Sequence, residues 1–271
     1  MAETLLTLAN WLLPLAYLVL MIDYGATFFL RTKTHARNAG VLAVVIFHAM
    51  ALVLRSVHLG RLPLEGGHEI LSLVALSTAV VYCVLEAAVR DRRAGLFIFI
   101  LVFLFQYTAA VFMAGAQPEQ GGGFTWTRLH ILPAIFSYTA FAVGAIYGLL
   151  HILAHRNLKQ HSVGVLFDRL PPFDLLARMT WYAMVVGFIF MTVSIATGPI
   201  LASRMKTEGV APIWDPRLAV KVIVGSIAWI IYGVAILGRV VGKWPAPRVS
   251  AIGLTGFVVT VILIIATTVL A

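Results

Sequence analysis

Long apolar runs separated by short polar ones organise the chain. Eight of the runs can cross a bilayer: residues 5–30, 39–58, 69–89, 95–114, 129–155, 179–203, 218–238 and 249–271. A spanning helix needs about 20 mainly apolar residues, because no water inside the membrane can satisfy the backbone. The pattern predicts an all-α, polytopic integral membrane protein with eight transmembrane helices, read as one helical domain over residues 1–271 with no soluble domain left over. Only Met1-Ala2-Glu3 precedes Thr4, and the first run is too long for the apolar part of a signal peptide. It is expected to be retained as helix 1.

Composition supports that reading, since 61% of residues are hydrophobic and 11% charged, which excludes an ordinary soluble globule. The net charge of +9 would suggest nucleic acid in a soluble protein. Here 13 of the 20 Lys and Arg residues fall in the loops that follow odd-numbered helices: Arg31, Lys33, Arg37; Arg90, Arg92, Arg93; Arg156, Lys159, Arg169, Arg178; Arg239, Lys243, Arg248. The positive-inside rule places those loops in the cytoplasm and both termini on the outer face. The charge is then topological, and nucleic acid is not an expected partner. Cys83 is the only cysteine, so neither a disulfide nor a CxxC pair can form within the chain.

Polar side chains inside the spans are the next signal, because an ionisable group in hydrocarbon is costly unless paired. Asp23 lies in helix 1, and His48 and Arg55 share one face of helix 2. His48 reads equally well as a ligand or as a helix-to-helix hydrogen bond. Glu86 can pair with Arg90 one turn on. His151 and His155 share a helix face, but the motif is HILAH, without the glutamate of a zinc-binding HExxH, so a solvated helix end is the expected role. Asp174 reads as the N-cap of helix 6, and Gly198-Pro199 as a kink or unwinding near its end. The segment 163–167 in the preceding loop reads as interfacial.

Chemistry is expected at the outer ends. The stretch TEGVAPIWDPRL, Thr207 to Leu218, places Trp214, Asp215 and Arg217 around a proline suited to a helix start. The loop before helix 5 ends in Phe124, Trp126 and Arg128, followed by His130. Arg55, His58, Arg61, His68 and Glu69 gather where helices 2 and 3 meet. Such an inventory suits a flat, apolar, anionic ligand, and it also suits lipid headgroups or a partner protein.

Four stretches resemble the cytochrome c assembly family, which includes CcsA, CcmC and eight-helix HemX-like members. They are Gly60-Arg61-Leu62-Pro63-Leu64 through Glu69; Arg128-Leu129-His130 through Tyr138; Leu170-Pro171-Pro172-Phe173-Asp174 with Thr197-Gly198; and Trp214-Asp215-Pro216-Arg217 through Trp229 and Tyr232. They stand in the family's order over a motif core of residues 60–232. The resemblance implies a haem-handling protein of the bacterial inner membrane, binding haem b transiently. His130 would be an axial ligand, with His48 or His58 as the second candidate. Arg55 and Arg217 would face the propionates, and Trp126, Trp214, Asp215 and Glu69 would complete the cofactor site. Membrane lipid and other cytochrome c maturation or respiratory membrane proteins are the implied partners. Two tryptophans of the family's fuller motif are missing here, no histidine follows His161, and Gly238 stands where a further histidine is often found. The departures point away from lyase activity and support, as an alternative to haem handling, a structural or regulatory subunit that has lost haem; separately, the polar residues in mid-span suit a solute transporter with Asp23 as its proton site.

Overall fold

The computed structural model describes residues 2–30, 38–64, 67–89, 91–115, 126–159, 170–207 and 216–269. Among these the chain is all α-helix: α1 (Ala2–Leu30), α2 (Asn38–Leu59), α3 (Gly67–Val89), α4 (Gly95–Gly115), α5 (Trp126–Lys159), α6 (Phe173–Thr207), α7 (Pro216–Val240) and α8 (Ala246–Val269). All eight are long and apolar enough to cross a membrane, as the apolar runs predict. Hydroxyls inside the helices bond back to the preceding turn, as Thr78 does to the Val74 carbonyl and Thr139 to that of Ile135, which lets polar residues sit in hydrocarbon without an unsatisfied donor.

Helix 6 differs from the sequence reading at both ends. It starts at Phe173, six residues before the apolar run, and the Pro172 carbonyl accepts from the amides of Leu175 and Leu176. Asp174 therefore lies inside the first turn, where its charge still complements the helix dipole, and is not the cap. The helix also continues unbroken through Thr197-Gly198-Pro199 to Thr207, so no unwinding occurs there. The segment 163–167 lies outside the described residues.

The helices form two compact units, α1 to α4 and α5 to α8. In the first, Tyr24, Tyr82 and Phe99 are fully buried and meet at ring-centroid distances of 4.8 to 5.8 Å. Glu86 accepts from the Tyr24 hydroxyl and pairs with Arg92 at 3.0 Å. The partner found is thus Arg92; Arg90 lies outside the described residues. Helix α2 ends on Gly60, at φ 65, with the Arg61 amide bonded to the Ser56 carbonyl and the Gly60 amide to that of Val57. This is a Schellman stop, and it turns Arg61 back toward α3.

In the second unit, the rings of Phe141 (α5) and Tyr232 (α7) stack at 3.5 Å, only 2° from parallel. Gly187 on α6 makes room for the stack: a methyl group there would meet the Phe141 ring at 2.5 Å. The Ser137 hydroxyl donates to the Gly187 carbonyl at 2.7 Å, and the Tyr232 hydroxyl to the Gly253 carbonyl at 3.0 Å. Small residues at crossings, sealed by interhelical hydrogen bonds, are how helices hold together where lipid removes the usual hydrophobic drive. Gly187→Ala should therefore destabilise the unit by about 1–3 kcal/mol through overpacking, read as a lowered melting temperature in detergent. Gly225→Ala, whose added methyl meets only the Tyr138 hydroxyl at 3.7 Å, should be tolerated.

Candidate functional site

His130 enters α5 one turn from its start and lies half-buried against α6. Its Nδ1 is 3.1 Å from the Thr197 hydroxyl, and Gly198 brings α6 close enough that a methyl group there would touch the imidazole at 3.6 Å. The Thr197 hydroxyl donates to its own helix, at the carbonyls of Val193 (2.9 Å) and Ser194 (3.0 Å). With its proton committed to the backbone, Thr197 accepts from the ring. The imidazole hydrogen then lies on Nδ1 and the lone pair on Nε2, which has no hydrogen-bond partner among the described residues. A metal-ligating histidine is held in this way, with one ring nitrogen anchored by a donated hydrogen bond and the other left to coordinate. The Thr197-Gly198 pair and His130 belong to separate stretches of the sequence reading, and the fold brings them together.

The aromatic and charged partners expected beside His130 are a different matter. Trp214 and Asp215 lie outside the described residues. Trp126 and Arg217 fall in the opening turns of α5 and α7, but their side chains also lie outside the described part. The helices that flank them, α6 ending at Thr207 and α7 starting at Pro216, belong to the same unit as His130.

In the first unit, Arg61, Glu69 and Arg55 form one ion-paired group. Arg61 grips Glu69 with two nitrogens, at 2.9 and 3.3 Å, and also donates to the Leu62 carbonyl. Arg55 approaches the same carboxylate at 3.7 Å, with its Nε buried and without a hydrogen bond. Arg61 is 5% and Glu69 2% exposed. The paired fork is the strong geometry for a guanidinium and a carboxylate, so Glu69 spends its oxygens inside the protein. His58, in the last turn of α2, and His68, at the start of α3, are half-buried nearby in sequence.

His48 is fully buried with both ring nitrogens engaged. The Tyr17 hydroxyl bonds Nδ1 at 2.9 Å, Nε2 bonds the Ser72 hydroxyl at 3.0 Å, and Ser72 donates to the Gln106 amide oxygen at 2.9 Å. The Ser72 proton goes to Gln106, so Ser72 must accept from Nε2–H, and Nδ1 must accept from Tyr17. One directed chain thus crosses α1, α2, α3 and α4. Sequence reasoning singles out His48 but not Tyr17 or Ser72, whose residue types are unremarked in a span. Any metal at His48 would have to displace one of these bonds.

His151 departs from the expected solvated helix end. It is fully buried, bonded through Nδ1 to the Ser250 hydroxyl at 2.8 Å, and packed 4.2 Å from the Phe173 ring, with His155 against the same ring at 5.5 Å. The early start of α6 puts Phe173 over both histidines, which sequence spacing alone does not reveal. Among the described residues no group of three metal-ligating side chains comes together.

Comparisons with known proteins place nearly the whole chain in a family. The chain matches the family described as Cytochrome C assembly protein over residues 8–270. It is 22% identical over 243 residues to the cytochrome c biogenesis protein CcsA of Chlorella vulgaris, covering 78% of this chain and 75% of that one. It is 23% identical over 230 residues to the inner membrane protein YpjD of Escherichia coli (strain K12), covering 82% of each. A shorter match, 30% identical over 79 residues, joins it to protein HemX of Brevibacillus brevis, with 29% of each chain covered. A match that spans nearly every helix makes the chain a multi-pass membrane protein belonging to the cytochrome c assembly family.

Proposed function

We propose that this protein of the inner membrane takes part in cytochrome c biogenesis by holding haem b transiently at the outer face, through Nε2 of His130. The observation that supports it is the anchored imidazole, with Nδ1–H given to Thr197 and Nε2 left with its lone pair and no partner among the described residues. Haem supplies an iron that accepts such a nitrogen and a broad apolar ring. Trp214, by its place in sequence between α6 and α7, would cover the ring, and Arg217 would meet a propionate. Trp126 would flank it, and Asp215 would set the turn.

Within the first unit the proposal assigns a supporting role to the other candidates. His48 holds four helices together, and Glu69 neutralises Arg61 and Arg55. With His48 engaged, His130 is the imidazole offered to the iron, and the sixth position is left for His58 or a ligand from elsewhere.

Titrating the detergent-solubilised protein with haemin tests this. The expected result is a saturable Soret band that shifts again when free imidazole is added, because one position is open. A specific observation favours the rival reading of a structural or regulatory subunit: His48, one of the two candidate second histidines, has no nitrogen to spare. A protein that stays colourless through the titration would establish that reading instead.

A further inference from the structure

Three cations crowd the turn between α7 and α8, far in sequence from His130. Arg239, Lys243 and Arg248 are exposed, and the chain contains no Asp or Glu after Asp215. Among the described residues none of the three lies within an ion-pair distance of a carboxylate. Elsewhere the arginines described near acidic groups are paired, as Arg61, Arg92 and Arg93 are.

The corner is nevertheless well ordered by its own contacts. Trp244 donates its amide to the Gly238 carbonyl at 2.9 Å, and Gly238 has no side chain because the Trp244 ring fills that space. Arg239 donates to the Trp244 carbonyl at 2.9 Å, and the Arg248 guanidinium lies 4.1 Å over the indole. Lys243 adopts φ 51, in the left-handed region where a lysine is uncommon. These contacts position the Arg239 and Arg248 guanidinium groups around Trp244 and fix the backbone from which Lys243 projects. Val240 and Val241, 63% and 74% exposed, stand beside them. A crevice of about 10 Å³, one water in size, is lined by Arg239, Thr180 and Ser250.

We propose that this corner is a binding site for the phosphate headgroup of an anionic membrane lipid. Charge decides the sign of the ligand, since exposed guanidinium and ammonium groups with no carboxylate beside them among the described residues suit phosphate oxygens. Position decides its source. The corner ends two spanning helices, where headgroups lie, and Val240 and Val241 offer apolar surface to the acyl chains, which a free anion would leave in water. Lys243 and Arg248 bind the phosphate, and Arg239 shapes the floor.

Thermal unfolding of the purified protein in detergent tests the site, with added phosphatidylglycerol compared with phosphatidylcholine. Phosphatidylglycerol should raise the melting temperature by a few degrees more than phosphatidylcholine, as expected for a ligand that binds only the folded state. Lys243→Gln with Arg248→Gln should lose most of that difference, and the charge-keeping pair Lys243→Arg with Arg248→Lys should retain it. The proposal is overturned if the two lipids act alike on the wild type, if the glutamine pair keeps the full difference, or if soluble glycerol phosphate reproduces the effect. Should the glutamine pair not fold, Lys243→Gln alone carries the comparison. That side chain makes no hydrogen bond or ion pair among the described residues, and an unchanged lipid preference in it would also overturn the assignment.

Discussion

Replacing His130 by alanine should abolish saturable haem uptake while leaving helix content and melting close to wild type. The imidazole is only half-buried, and its side-chain partner among the described residues, Thr197, keeps both of its backbone bonds when the ring is removed. Little of the fold depends on it. Thr197→Val makes a finer test, since it keeps the imidazole and removes the acceptor that fixes Nδ1–H. Loss of such an orienting partner typically weakens metal binding by about 10–100-fold, so the Soret titration should shift to higher haemin without losing amplitude. If the alanine variant takes up haem as the wild type does, the assignment of His130 fails. If only the valine variant is unchanged, the iron ligand stands and the orienting role of Thr197 does not.

The largest loss of stability is expected at Glu69. Its side chain and that of Arg61 are each 3% exposed and joined by a two-point ion pair, with Arg55 on the same carboxylate. Glu69→Ala takes away the carboxylate that Arg61 grips at two points and leaves that buried guanidinium beside a second cation, Arg55. Removing one partner of such a pair costs about 3–5 kcal/mol, which for a protein of ordinary stability is a large share of the total. Thermal melts should show a loss far exceeding that of Gly187→Ala. The double variant Arg61→Met with Glu69→Leu should be more stable than Glu69→Ala alone, because it removes both buried charges. A Glu69→Ala protein that melts with the wild type would mean that water reaches the guanidinium and that the pair is not sealed.

Much of the architecture can be read from the apolar runs, because a segment that must satisfy its own backbone in lipid has little choice but helix. The start of α6 escapes that reading. Asp174 and Arg178 make the first turns look like loop, although the helix already runs through them. The candidate ligand is legible for a similar reason, since His130 stands at the boundary of its apolar run. Its orienting partner is not, because Thr197 lies 67 residues away and only the packing of α5 on α6 joins them. His48 draws notice as a histidine in mid-span, yet Tyr17, Ser72 and Gln106 complete its surroundings from three other helices. No periodicity within one helix carries that information.

The direction of those bonds has a consequence for the membrane itself. Every hydrogen in the line from Tyr17 through His48 and Ser72 points toward Gln106, and an amide oxygen is a poor station from which to send a proton onward. The line can therefore bind four helices together at mid-depth without serving as a leak. A bilayer that stores energy as a difference in acidity between its two sides needs that electrical silence from the proteins embedded in it.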